Sequence, residues 1–252
     1  MRIVILALCL LMTACSSGIY NLPPKEYQQQ VKTLGVLPLL VDGRSVILHS
    51  DAAEILDLLR RGAAGRSAAV VEDLRKKKGY FDVRLVQEPP RMLAERLLVK
   101  ARFDELGLPR GYRLDPQLLA ELCRDSFVDG LLLLNLQAVV HKDKRWSRNT
   151  FETLTTDYND IMATASVVAA DGRVLWEMNG EDAAIILSLQ YPDFDEAYFN
   201  HDPAVKLKFI GLAGLEKTLL PAAEKEQEKP QSPQITAWLN SVVTALSPTL
   251  FR

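Results

Sequence analysis

Side chains able to do nucleophilic, acid–base or metal chemistry are few in this chain and widely spaced. The cysteines are Cys9, Cys15 and Cys123, and the histidines are His49, His141 and His201. No histidine sits at a metal-ligand spacing of the His-Glu-x-x-His kind, so each is expected on the surface or in a loop. Asp193, Asp195, Glu196 and Asp202 form an acidic group. It lacks the Asp-x-Asp-x-Asp-Gly order that wraps a calcium ion in oxygens, and a solvated loop is expected instead. Cys123 falls among Leu118, Leu119 and Leu122 on a predicted helix, which makes it a buried, inert thiol rather than a nucleophile. Glycine-rich phosphate loops and Gly-x-Ser-x-Gly elbows are missing. The expectation is a chain with no catalytic residues, no metal and no cofactor.

Cys15 is different, because its surroundings specify a reaction. Arg2 is a short positive start, Ile3 to Met12 is an apolar run, and the small residues Thr13 and Ala14 precede the cysteine. That is the layout of an export signal. The run is about half of the roughly 20 apolar residues a spanning helix needs, and Ser16, Ser17 and Gly18 end it. Leu11-Met12-Thr13-Ala14-Cys15 resembles the lipobox of bacterial lipoproteins, with Met12 where leucine is usual. The resemblance implies a diacylglyceryl group on the Cys15 thiol, removal of residues 1–14, and palmitate on the new amino terminus. Two or three acyl chains would hold the protein stably, since each buried CH₂ contributes about 0.8 kcal/mol. Ser16 after the cysteine implies the outer membrane, with the chain on its periplasmic face.

The bulk composition suits a packed globule, with 48% hydrophobic and 7% aromatic residues. The net charge of −2 becomes one unit more negative once Arg2 leaves, so no basic field is available for nucleic acid. With Cys9 discarded and Cys15 acylated, no internal disulfide can form.

The elements that must carry any site follow from periodicity. Residues 15–33, with Pro23, Pro24 and a run of glutamines, read as a tether. Leu34 to Val41 is a short apolar run expected as the first strand, at an edge or bulged near its end because Pro38 lacks a ladder donor. Helical spacing runs from Asp51 to Lys78 with a break near Gly62 to Gly65, and Lys76-Lys77-Lys78 reads as a solvated helix end capped by Gly79. Tyr80 to Val86 alternates as a second strand. A short helix around Met92 to Val99 leads into a loop up to Gly111. Asp115-Pro116 is an N-cap with proline in the first turn, and Leu131 to Leu136 is a buried central strand.

An Asp171-Gly172 turn is expected to pair Ala169 with Val174, Val167 with Trp176 and Ala165 with Met178 on an apolar face. Ser166 with Glu177 and Thr164 with Asn179 would lie on a polar face. Asp202-Pro203 starts a helix carrying Val205, Phe209, Leu212 and Leu215. Residues 221–252 read as a linker and a terminal amphipathic helix.

Four segments in this order carry a resemblance: Gly35-Val36-Leu37-Pro38, Lys78-Gly79-Tyr80 with Val83, Asp129-Gly130-Leu131-Leu132, and Ala163 to Trp176. Over residues 34–220 the chain resembles the amino-terminal domain of the Tol-system protein TolB, which recurs in the curli secretion lipoprotein CsgG and in lipoprotein activators of penicillin-binding proteins. The resemblance implies an α/β (α+β) fold, a mixed β-sheet with flanking helices, and a non-catalytic adaptor binding periplasmic envelope proteins. The second expectation is a self-associating subunit (a homo-oligomer) of a transport or secretion assembly, and the third is an envelope hydrolase built from distant carboxylates. Arg145 to Thr156 is longer and more polar than that domain requires, and together with the tail it is a candidate partner site.

The anchor can be tested directly. Cys15→Ser removes the thioether position, so the chain should become soluble or stay unprocessed. Full membrane retention of a signal-cleaved variant after a high-salt wash would show the lipid reading to be wrong.

Overall fold

The computed structural model describes residues 18–148, 152–194, 206–221 and 231–247. Cys15, His201, Asp195, Glu196 and Asp202 lie outside them. The fold is mixed α/β, built on one eight-stranded sheet. Its strands are β1 (Ile19–Tyr20), β2 (Thr33–Val36), β3 (Leu40–Val41), β4 (Asp82–Leu85), β7 (Gly130–Trp146), β8 (Thr153–Ala169), β9 (Val174–Met178) and β10 (Ala184–Ser188). The order is β1-β9-β8-β7-β2-β4, with β3 continuing along β7 beyond β2 and β10 pairing β8. β2 runs parallel to β4 and β7, while β8 runs antiparallel to β7, β9 and β10.

The leucine run at the start of β7 is buried on both faces because the sheet is covered on both. Leu132, Leu134, Leu136 and Ala138 enter one core, and Leu131 and Leu133 enter the other. The first core is roofed by α2 (Ala52–Ala63), α3 (Arg66–Lys77), α6 (Leu212–Leu219) and α7 (Pro233–Ala245). The second is roofed by α4 (Pro90–Leu97), α5 (Pro116–Ser126) and a hairpin of β5 (Leu98–Phe103) with β6 (Pro109–Leu114). α5 starts where its cap residue dictates: the Asp115 carboxylate accepts from the Leu118 N–H at 2.7 Å, with Pro116 in the first turn.

Several expectations are corrected. The tether stops short of residue 33: β1 adds to the sheet, α1 (Pro24–Gln30) follows, and Tyr27 and Val31 are buried in the first core. Nor is the tail beyond Pro221 an appendage, because Ile235, Trp238 and Val242 of α7 complete that same core. β2 lies between two neighbours rather than at an edge. The other alternative, an irregularity near the end of the strand, holds: the Leu37 N–H still donates to Leu132 O at 3.0 Å, the chain leaves the ladder at Pro38 and Leu39, and it rejoins β7 as β3. Lys78, not Gly79, takes the left-handed cap of α3, with φ 54°. The loop expected before Gly111 is the β5–β6 hairpin. The helix expected from Asp202 begins at Leu212 among the described residues, and Phe209 lies on the strand β12 (Leu207–Phe209), which pairs with β11 (Gln190–Pro192).

The Asp171-Gly172 hairpin forms with Ala165↔Met178, Ser166↔Glu177 and Val167↔Trp176 as expected. A register shift then opposes Val168, not Ala169, to Val174 and buries the extra residue Leu175. Thr164 and Asn179 are not paired, since β9 ends at Met178. The polar face is not left to solvent either: Ser166 and Asn179 are buried near Gly111 and Tyr112 of the β5–β6 hairpin.

Trp176 is fully buried in the first core. Trp176→Ala should cost about 3–5 kcal/mol, the usual range for a buried tryptophan, out of a typical total of about 5–15 kcal/mol. A large fall in melting temperature is the expected readout. A variant that melts like the parent would show the indole to be exposed.

Candidate functional site

Beyond β3, β7 keeps its partner β8 on one side and loses it on the other. Alternate residues of β7 aim their backbone groups at that open side. The Asp42 N–H donates to Leu136 O at 2.9 Å, the Ala138 N–H donates to Ser45 Oγ at 3.0 Å, and the Lys142 N–H donates to Leu106 O at 2.8 Å. Val140, between them, opposes Asn159 on β8. The Asn159 N–H donates instead to Gln190 Oε1 at 2.8 Å, and its carbonyl accepts from Leu189. The Val140 backbone must therefore point to the open side, where its N–H faces the cleft and its carbonyl lies under Gly107 of the β5–β6 turn.

The opposite wall is β5. Between it and β7 is a cleft of about 430 Å³, lined by Val46, Val99, Phe103 and Val140 together with Asp42 and Gln137. Its four large apolar side chains are all exposed, from 39% for Val99 to 60% for Val46. Such a cluster marks an interaction site more often than single surface leucines do. Lys100, also in the wall, has no carboxylate partner among the described residues. The tip of the hairpin closes one end. The Asp104 carboxylate accepts from the Leu106 and Leu108 N–H groups at 3.0 and 2.9 Å, and Gly107, at φ +83°, lies on the Val140 carbonyl.

The cleft floor is polar and held from three elements. Asp42 organises the turn after β3, accepting from the Arg44 N–H at 3.0 Å, and its other oxygen accepts from the Tyr112 hydroxyl at 2.8 Å. That hydroxyl also lies 2.7 Å from the Gln137 amide oxygen and 3.3 Å from Asn135 Nδ2. One phenol proton cannot serve two acceptors. It goes to the Asp42 carboxylate, and the Gln137 amide is satisfied with its nitrogen turned to the phenol. Burial, then the Asp42 charge, pushes the Tyr112 phenol far above its ordinary range, so it remains a donor.

Further along the same face, His141 Nε2 lies 2.9 Å from Asp160 Oδ2, and Arg145 pairs with Asp160 as well. Arg145 also bonds Asp143 at 3.1 Å and Gln190 O at 3.0 Å, and it lies over the Tyr158 ring. No serine, threonine or cysteine side chain reaches His141 among the described residues, so this pair lacks the nucleophile of a catalytic triad. Its geometry fastens the outer part of the β7–β8 hairpin to β11.

The structure separates the side chains with chemical potential instead of gathering them. His49 lies in the loop before α2, as expected, but is buried, and His141 is buried on β7, correcting the surface or loop position expected for it. His49 Nδ1 accepts from the Asp51 N–H at 3.0 Å, which puts the proton on Nε2, donated to Ile210 O at 2.9 Å. Cys123 is buried, and burial together with the Asp129 charge pushes its thiol up to about 11. Lys76 pairs with Asp73 at 2.8 Å at the solvated end of α3, and Asp193 pairs with Lys208 at 2.6 Å. Among the described residues no three His, Cys, Asp or Glu side chains are grouped to hold a metal, and no helix is long and apolar enough to cross a membrane.

The chain has no match among protein-family models, curated proteins or solved structures. Geometry therefore carries the functional argument. The sequence reading missed the cleft because half of it is the unrecognised β5 strand. Val99, Ala101 and Phe103 at period two, followed by Asp104 and Gly107, were the available signal.

Gly107→Ala should pry the hairpin tip off β7. The residue has a positive φ, and its added Cβ would collide with the Val140 carbonyl. A cost of about 1–3 kcal/mol is expected. Hydrogen exchange should show faster exchange at Lys142 than in the parent, and unchanged protection there would contradict the closure.

Proposed function

We propose that this chain is a lipid-anchored periplasmic adaptor of the bacterial cell envelope, which acts by holding an extended, apolar segment of a partner protein in the cleft between β5 and β7. The observation that carries the reading is the outward Val140 N–H, set among the exposed side chains of Val46, Val99, Phe103 and Val140 itself. An incoming strand takes its main-chain hydrogen bonds from such an edge and its specificity from the side-chain pockets beside it. Lys100 at the rim favours a segment with an acidic residue.

The strand, helix and hairpin order of the sheet supports the likeness to the TolB amino-terminal domain and to its adaptor relatives. It transfers no site residue. The anchor on Cys15 also gains a geometric consequence. β1 begins at Ile19, four residues later, and four extended residues reach at most about 14 Å. An acylated Cys15 would hold the β1 edge of the sheet close to the outer-membrane surface, with the cleft on the other side of β7 turned to the periplasm.

Val140→Pro tests the site, since proline removes the outward N–H while the β7–β8 ladder uses neighbouring residues. A photo-crosslinking residue at Phe103 in intact cells should give one discrete adduct, at a mass other than twice the chain, and Val140→Pro should abolish it with the melting temperature little changed. An adduct that survives Val140→Pro would overturn strand binding. An adduct at twice the chain mass would replace the adaptor with a self-associating subunit.

A further inference from the structure

A second cleft, of about 390 Å³, lies at the carboxyl ends of β2 and β4. The connection leaving β2 runs through α2 and α3 over one face of the sheet, and the connection leaving β4 runs through α4 and α5 over the other. The wall is largely apolar, with Leu39, Ala63, Ala68, Val86 and Pro90.

The first turn of α3 faces this crevice. α2 ends at Ala63, Gly65 at φ +73° turns the chain, and α3 restarts at Arg66. The start carries no acidic residue and no side-chain cap, so the positive end of the helix and its leading N–H groups are left to other partners. Ser67, in that turn, is buried with 4% exposure, lines the cleft, and its hydroxyl has no hydrogen-bond partner among the described residues. Arg60 is also in the wall and has no carboxylate partner among the described residues, whereas the neighbouring Arg61 pairs with Asp57 and Glu216. Arg91 in the wall is paired with Glu95, and Glu88, the lining carboxylate, is exposed.

We propose that this crevice binds a monocarboxylate borne on a short apolar group. The carboxylate sits on the first turn of α3, where it accepts from the leading N–H groups and from the Ser67 hydroxyl once that side chain rotates out of its sealed, unpartnered position, with Arg60 supplying the countercharge. The apolar group lies against Leu39, Val86 and Pro90. The carboxyl end of a peptide and a free short-chain acid share this chemistry. The site is independent of the β5–β7 cleft.

The test titrates the full chain with N-acetyl-leucine and N-acetyl-leucinamide, and with hexanoate and hexanamide, following the amide resonances of Arg66 to Ala68. The acids should bind saturably and the neutral amides about tenfold more weakly, the difference a charged hydrogen-bond acceptor makes. The tighter acid identifies the source. Ser67→Ala should weaken acid binding about tenfold with the melting temperature unchanged, and Arg60→Gln should weaken it and flatten its salt dependence. Equal affinity for acid and amide, or acid binding unaltered in both variants, would overturn the proposal. Val140→Pro should leave these titrations as in the parent, so failure here and failure at the other cleft are separable.

Discussion

The long antiparallel ladder between β7 and β8 is the interaction on which the rest of the molecule depends. It pairs Gly130 with Ala169 at one end and Trp146 with Thr153 at the other. A strand has two faces and two edges, and β7 uses all four. Its faces enter two separate cores, one edge is given to β8, and the other is shared by β2 and β3 before falling open. Helices on both sides are then required, because a strand with leucines on both faces exposes apolar surface unless both are covered.

Where the cores end, polar side chains take over the same face of the ladder. Asn135, Gln137, His141 and Asp160 are all buried there. Asn135 and Gln137 are held by the Tyr112 hydroxyl, itself fixed by Asp42, and His141 and Asp160 by their own 2.9 Å contact together with the pairing of Asp160 to Arg145. A buried carboxylate such as Asp160 is tolerable only while its partners remain, because an unpaired buried charge costs more than the pair contributes. The network thus ties the placement of β5–β6 and of the outer hairpin to β7, and the cleft keeps its shape for the same reason.

The edges of the sheet are treated unequally. β4 is short, and Arg75 covers its outward side by donating to Val83 O at 2.9 Å, a device that discourages edge-to-edge pairing. At the other end β1 contributes two residues. The stretch of β7 at Val140 differs, since its outward N–H faces the cleft between β5 and β7. An edge blunted at its ends and open in the middle directs pairing to one place.

What the amino-acid order determined by itself was local. Asp115-Pro116 starts a helix, the Gly62 to Gly65 segment breaks one, Asp171-Gly172 turns a hairpin with Val167 opposite Trp176, and Leu131 to Leu136 is a core strand. These signals act over a few residues through caps, φ preferences and side-chain period. Tertiary structure alone decided that β7 continues to Trp146. Residues His141 to Arg145 are polar with only His141 buried, and they are held in the strand by partners across the ladder, as His141 is by Asp160. It also decided that Tyr27 and Trp238, at opposite ends of the chain, share one core, and that Val99 and Phe103 face Val140. Apolar period states that a face must be covered, but not by which segment. That choice belongs to shape and hydrogen-bond complementarity between elements that meet only once the chain has folded.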